Sequence, residues 1–283
     1  MLSVKSAFSK LLFSTVRVEC RLKTGGVSTG TAFFFNFKID DQRHLPLLVT
    51  NKHVVEGAEI AQFHVHEALS SASGESGPSP TSFPVTITEF QSAWFMHPDP
   101  SADLCVMPFE PLRQQAQAQG KTIFSCPLDD SLIPNQTTLD GLSALEDIVM
   151  VGYPIGLWDS TNNLPILRRG ATASHPATDF QGKAQGVVDM ACFPGSSGSP
   201  ILILNEGAFS TPNGLTVGGR IHLLGVLFAG PVYRADGKIE IIDIPTYSVP
   251  VPVTTIPIHL GYYVKASALW RLKDVLFEKI RLK

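Results

Sequence analysis

Phe193-Pro194-Gly195-Ser196-Ser197-Gly198-Ser199-Pro200 stands between the apolar runs Val187 to Met190 and Ile201 to Leu204. Glycine and proline punctuate two strands here, so the octapeptide reads as a tight turn. A serine hydroxyl is a poor nucleophile at neutral pH. It needs a base to take its proton and fixed donors for the charge that develops on a carbonyl oxygen. Gly195, two residues before Ser197, lets the backbone curl so that both amides aim at one place, and Gly198 admits close approach of a ligand. Taken alone, the octapeptide is equally a plain Ser/Gly/Pro turn, so its reading depends on partners elsewhere in the chain.

Outward from this turn the chain keeps the same punctuation. From Thr15 onward, short apolar or alternating runs such as Val16 to Leu22, Thr31 to Phe37, Leu45 to Val49, Leu104 to Met107, Ile148 to Gly152 and Leu223 to Phe228 are separated by Gly, Pro, Asn, Asp and Ser. That pattern predicts an all-β chain of antiparallel barrels or sandwiches. Ser70 to Ser82 has the composition of a solvated loop, and Pro245 to Pro257 suits an edge or extended segment. Asp236-Gly237 is a favoured tight-turn pair. A helix is expected at the C-terminus, where Leu269, Leu272, Leu276 and Ile280 recur at three- and four-residue steps with charges of both signs between them.

A base for the serine stands in Leu47-Leu48-Val49-Thr50-Asn51-Lys52-His53-Val54-Val55, where His53 lies just beyond an apolar strand. A strand end can hold a side chain at a cleft, although a histidine in such a place is more often an ordinary surface residue. Asp103 opens the strongly apolar Leu104-Cys105-Val106-Met107. Its carboxylate would accept a hydrogen bond from one imidazole nitrogen, fix the tautomer whose other nitrogen faces the serine, and stabilise the imidazolium. A capping or turn role is the plain alternative.

Charge nominates no partner. The net charge of −3 comes from 22 basic and 25 acidic residues without a long block of either sign, so neither nucleic acid nor a membrane surface is expected as a ligand. Arg168-Arg169 is a short basic pair without an assigned role. No stretch reaches the ~18 to 20 apolar residues needed to cross a bilayer, and Leu11-Leu12-Phe13 is too short for a signal-peptide core. The expectation is a cytoplasmic protein in which Cys20, Cys105, Cys126 and Cys192 stay free. His64 and His66 share one strand face with no third ligand in view, and no metal or cofactor is expected.

Together, Thr50 to Val55, Asp103 to Val106 and Gly195 to Pro200 resemble the three catalytic blocks of the chymotrypsin-like, or trypsin-fold, serine peptidases, in that family's order. Gly30-Thr31-Ala32-Phe33, Val151-Gly152-Tyr153-Pro154 and Gly225-Val226-Leu227-Phe228-Ala229-Gly230 add to the likeness, which spans Thr15 to Ala268. The resemblance implies two antiparallel six-stranded β-barrels with a C-terminal helix. Residues 14–125 would form the barrel carrying His53 and Asp103, 126–263 the barrel carrying Ser197, 264–283 the helix and 1–13 a leading segment. It further implies a His53-Asp103-Ser197 triad, an oxyanion hole made by the amides of Gly195 and Ser197, and a protein or peptide substrate cut through an acyl-enzyme.

Departures from the family pattern refine these expectations. Ser196 stands where digestive members have an aspartate, and Val54 where they have a cysteine. Activation by a newly cut N-terminal amine is therefore not implied. Pro194-Gly195-x-Ser197-Gly198 is closer to the bacterial high-temperature-requirement proteases, although Phe193 and Ser199 differ from that group and the short run after Ala266 has no room for its PDZ domain. Ala191, six residues before Ser197, would lie at the base of the primary pocket, with Phe228, Ala229 and Gly230 as its wall. That lining implies small or medium apolar side chains before the cut. The alternatives are a catalytically silent or latent peptide-binding protein of the same fold, or a protease subunit switched on by a regulatory partner.

Overall fold

Alternation along Ala32-Phe33-Phe34-Phe35 sets the plan of the molecule. Successive side chains of a strand point to opposite faces. In the computed structural model, which describes residues 4–70, 76–211, 214–236 and 253–281, Ala32 and Phe34 face one buried cluster while Phe33, Phe35 and Phe37 face another. The first cluster fills the N-terminal sheet. The second is the seam between that sheet and a barrel built from the C-terminal half.

The N-terminal sheet is barrel-like and runs in the order β5-β4-β1-β2-β3-β7-β6. Its strands are Thr15–Leu22 (β1), Val27–Lys38 (β2), His44–Thr50 (β3), Ala58–Ser70 (β4), Ser76–Thr88 (β5), Phe95–Met96 (β6) and Cys105–Pro108 (β7). Two short strands join it from the side: Ile123–Phe124 (β8) pairs with β4, and Leu128–Asp129 (β9) runs parallel to β2. Asp147–Gly152 (β10), Ile166–Thr172 (β11), Gln185–Asp189 (β12), Pro200–Asn205 (β13), Arg220–Ala229 (β16) and Leu260–Lys265 (β19) close into a six-stranded antiparallel barrel, in the order β10-β11-β12-β19-β16-β13. Closure leaves that sheet no unpaired edge. Two hairpins stand apart from it, Ala208–Thr211 (β14) with Gly214–Val217 (β15), and Val232–Asp236 (β17) with Val253–Pro257 (β18).

Helices are few. Ala7–Leu11 (α1) is followed by a single turn at Lys52–Val55 (α2), then Glu110–Ala118 (α3), Gln136–Asp140 (α4) and the terminal Ala268–Arg281 (α5). Leu269, Leu272 and Leu276 on α5 are buried in the seam beside Phe33 and Leu47 from the first sheet and Leu202, Leu223 and Val264 from the barrel. The leading segment is used inside the molecule too. Leu11 and Phe13 are buried, and the Ala7 amide donates to Glu206 Oε1 at 2.9 Å.

Two local expectations change. Most of the stretch read as a solvated loop at Ser70 to Ser82 is strand, because Ser76 onward pairs with the far end of β4 in a long hairpin. β5 lies at the sheet edge, where Pro78, Pro80 and Pro84 lose no ladder bond by lacking an N–H. The helix α3 was not expected. Only Leu112 and Ala116, four residues apart, mark its buried face, and Glu110, Arg113, Gln114, Gln115 and Gln117 make most of the rest polar. Of the proline-rich stretch only Val253–Pro257 is described, and Asp236 ends a strand paired with Val253; the expected turn residue Gly237 lies outside the described residues.

Candidate active site

His53 owes its place to two flanking features. β3 ends at Thr50, and a single helical turn follows whose Val54 and Val55 are buried while the His53 side chain stays 44% exposed. Gly30 on β2 makes room for this turn, since a Cβ there would come within 2.5 Å of Val54 Cγ1.

Asp103 meets His53 twice. Its Oδ2 lies 2.5 Å from His53 Nδ1, and its Oδ1 accepts from the His53 backbone amide at 3.2 Å. The buried Asn51 fixes the other side, donating from Nδ2 to the Asp103 carbonyl at 2.6 Å. Burial pushes the Asp103 carboxyl up. The hydrogen bond and charge of His53, with the amides of His53 and Lys52, outweigh it and hold the group below its ordinary value. A carboxylate held charged against Nδ1 directs the other ring nitrogen, Nε2, away from itself.

Ser197 is half-buried in a loop otherwise packed away, with Gly195, Ser196, Gly198 and Ser199 all buried. Gly195 has φ +86° and Gly198 φ +87°, in the region that favours glycine. Both are also crowded. A Cβ on Gly198 would sit 1.9 Å from the Thr31 carbonyl oxygen and 2.4 Å from Thr50 Oγ1, and one on Gly195 would sit 2.6 Å from the Tyr153 oxygen. Thr50 is three residues before His53, so close packing on Gly198 brings the serine loop to the strand end that carries the histidine. The Ser197 hydroxyl itself donates to the Phe228 carbonyl at 3.5 Å, and among the described residues it makes no hydrogen bond to His53.

The amides of Gly195 and Ser197 have no hydrogen-bond acceptor among the described residues, whereas Ser196 N donates to Phe193 O and Gly198 N to Leu227 O. Two unfilled donors, two residues apart beside an accessible hydroxyl, form an arrangement that can receive a developing oxyanion. Ser196 Oγ is buried without a partner among the described residues.

Around the expected pocket, Ala191 is half-buried and its carbonyl accepts from Arg168 Nη1. Phe228 is half-buried, and Ala229 and Gly230 are exposed. Cys192 and Gly261 belong to the same neighbourhood and were not singled out as lining. A Cβ on Gly261 would come within 2.4 Å of Cys192 Sγ, and one on Gly230 within 3.7 Å of Cys192 Cβ. Burial pushes the Cys192 thiol up to about 11, which leaves it protonated and unreactive at neutral pH. All four cysteines are free. Sequence reasoning also passed over Thr31 as a site residue. Its only sequence signal is its place in Gly30-Thr31-Ala32-Phe33.

His64 and His66 serve a loop contact. The His64 ring lies 5.4 Å from that of Trp158, and His66 Nε2 is 2.9 Å from the Asn163 carbonyl oxygen. Among the described residues no group of three His, Cys, Asp or Glu side chains has metal-site spacing, and no helix is long and apolar enough to cross a membrane.

Comparison with known proteins adds a family. Residues 30–209 match the family model described as the trypsin-like peptidase domain. Among solved structures, the chain is similar to the active form of the Rv3671c protease from M. tuberculosis, at 15% identity and a TM-score of 0.45 over 93% of this chain and 80% of that one. It is similar also to GrC, at 12% identity and a TM-score of 0.47 over 95% of this chain and 96% of that one. No curated protein matches it.

Proposed function

Because the chain belongs to the trypsin-like peptidase domain family, we propose that it is a serine endopeptidase whose triad is His53, Asp103 and Ser197. The observation that carries this reading is the doubly bonded Asp103–His53 pair set beside a serine loop with two unfilled amides. In the proposed reaction the Ser197 hydroxyl turns from Phe228 O to His53 Nε2, which takes its proton as the oxygen attacks the scissile carbonyl. The amides of Gly195 and Ser197 receive the oxyanion. His53 then protonates the leaving amine, and water repeats the sequence on the acyl-enzyme. The N-terminal unit, residues 14–125, supplies the base and its carboxylate, and residues 126–263 supply the nucleophile.

Ala191, Phe228, Ala229 and Gly230 support a preference for small or medium apolar side chains before the cut, since no carboxylate stands among them to attract Lys or Arg. Cleavage of a mixed peptide library, read by mass spectrometry, tests this; cuts clustered after basic residues would refute it.

A fluorophosphonate probe tests the enzyme reading. The folded protein reacts, while Ser197→Ala and the unfolded chain do not. The bond from Ser197 to Phe228 O favours one other reading, a latent peptidase or a peptide-binding protein of the same fold. An unreactive wild type beside a reactive trypsin control would select it.

A further inference from the structure

The carbonyls of the serine loop are held almost one by one. Phe193 O accepts from Ser196 N at 3.0 Å, Pro194 O from Ile155 N at 2.5 Å, Ser196 O from Ser199 N at 3.0 Å and Ser197 O from Thr31 N at 2.9 Å. Two further carbonyls are taken by side chains from opposite halves of the molecule. Thr31 Oγ1 on β2 donates to Gly195 O at 3.0 Å, and Arg168 on β11 donates to Ala191 O while its guanidinium lies 5.1 Å from the centroid of the Phe193 ring.

Planarity gives these bonds a consequence. In a trans peptide the C=O and the following N–H point in opposite directions. Fixing Pro194 O on Ile155 therefore turns the Gly195 N–H the other way, and fixing Ser196 O turns the Ser197 N–H the other way. These are the two amides left without acceptors. Thr31 holds the intervening Gly195–Ser196 peptide, so it decides whether the two flanking planes keep their orientation. Its hydroxyl spends its single donor on Gly195 O and accepts from Tyr153 N at 3.1 Å. Its carbonyl is pinned by Thr50 Oγ1 at 2.6 Å, and the residue is fully buried.

We propose that Thr31 is a positioning residue for the proposed hydrolysis, its hydroxyl keeping the oxyanion amides turned outward, and that Arg168 braces the same loop at its start. The inference rests on the peptidase reading. It makes the site competent as folded, by contacts internal to the chain. Thr31→Val keeps the shape of the side chain and removes the hydroxyl.

Fluorophosphonate labelling at saturation separates orientation from binding. We expect Thr31→Val to lower the limiting labelling rate about tenfold to a hundredfold with the probe concentration at half-saturation changed by less than about threefold. Thr31→Ser restores the rate to within about threefold, and Arg168→Met lowers it in the same manner. Hydrogen exchange supplies a readout independent of activity: in Thr31→Val the amides of residues 195–199 exchange faster while those of β12 do not. A folded Thr31→Val that labels as fast as wild type with unchanged exchange overturns the inference. A wild type that never labels overturns the peptidase reading instead, and exchange still decides whether Thr31 holds the loop.

Discussion

Both carboxylate oxygens of Asp103 engage His53, Oδ2 its ring and Oδ1 its backbone. The carboxylate therefore fixes the ring's tautomer and its position together. Its folded pKa is depressed below the ordinary 3.8, despite the upward push of burial. A depressed carboxylate contributes stability that is present in full above its ordinary pKa and is lost as pH falls through the folded value. We therefore expect the melting temperature of wild type to exceed that of Asp103→Asn at about pH 5 and above, and the margin to shrink below about pH 4. Thermal melts across that range check it; a margin unchanged at pH 3 would remove the carboxylate from the account. The same substitution favours the wrong tautomer and should slow labelling by on the order of 10³- to 10⁴-fold. Gly198→Ala acts by volume and strain. With φ +87° and the Thr31 oxygen at 1.9 Å from the added carbon, the loop must move, and both labelling and the melting temperature should fall.

At the scale of elements, the loop between β10 and β11 links the serine loop to the first sheet. Its Ile155 supplies the amide on Pro194 O and adopts φ +48°, a left-handed conformation that is costly for a β-branched residue. Farther along, the Trp158 ring lies 5.6 Å from the Arg17 guanidinium and packs at a tilt against His64, and Asn163 at φ +54° donates to His64 O at 3.1 Å. Asparagine tolerates that conformation and valine does not. Asn163→Val should cost about 2 to 4 kcal/mol through backbone strain and a lost buried hydrogen bond, and Asn163→Gly, which keeps the conformation, about 1 kcal/mol. Urea unfolding of the two variants measures the difference. None of this anchoring was legible in the sequence. The three blocks of the proposed site could be read because each carries its chemistry within a few consecutive residues, and the barrel strands because their apolar runs are continuous. Thr31 and Gly195 are 164 positions apart, and Asn163 and His64 are 99 apart, so their pairing exists only once the chain is folded. The first half of β5, Ser76 to Ser82, escaped notice because prolines and serines mask a strand whose ladder comes from its partner, and α3 because two apolar residues are too few to show a period.

The whole molecule is organised around the seam. His53 and Asp103 belong to one side of it and Ser197 to the other, so the proposed site exists only while the two halves stay docked. The seam is apolar and shared: Phe33, Phe35, Leu47, Val49 and Val106 come from the first sheet, Val149, Val151, Leu202 and Val226 from the barrel, and α5 lays Leu269, Leu272 and Leu276 among them. Lys273 fastens the helix to the end of β2 and to the stretch just after β9, donating to Lys38 O at 2.8 Å and to Asp130 Oδ2 at 3.1 Å. A core whose side chains come from both halves cannot melt on one side without exposing the other, which couples two units that a chain of this length might otherwise unfold separately. Leu272→Ala, at a fully buried position, should cost about 2 to 5 kcal/mol by removing apolar contacts and leaving a cavity. Trp94 reports on the first core, Trp158 on the loop between β10 and β11 and Trp270 on α5, whereas far-ultraviolet circular dichroism reports on the backbone as a whole, so the two probes follow different features of the fold. Their denaturant transitions should coincide in wild type, shift together to lower denaturant in Leu272→Ala, and track the loss of fluorophosphonate labelling. Labelling that disappears in a separate, earlier transition would mean that the seam opens while both halves remain folded, and that the helix does not join them.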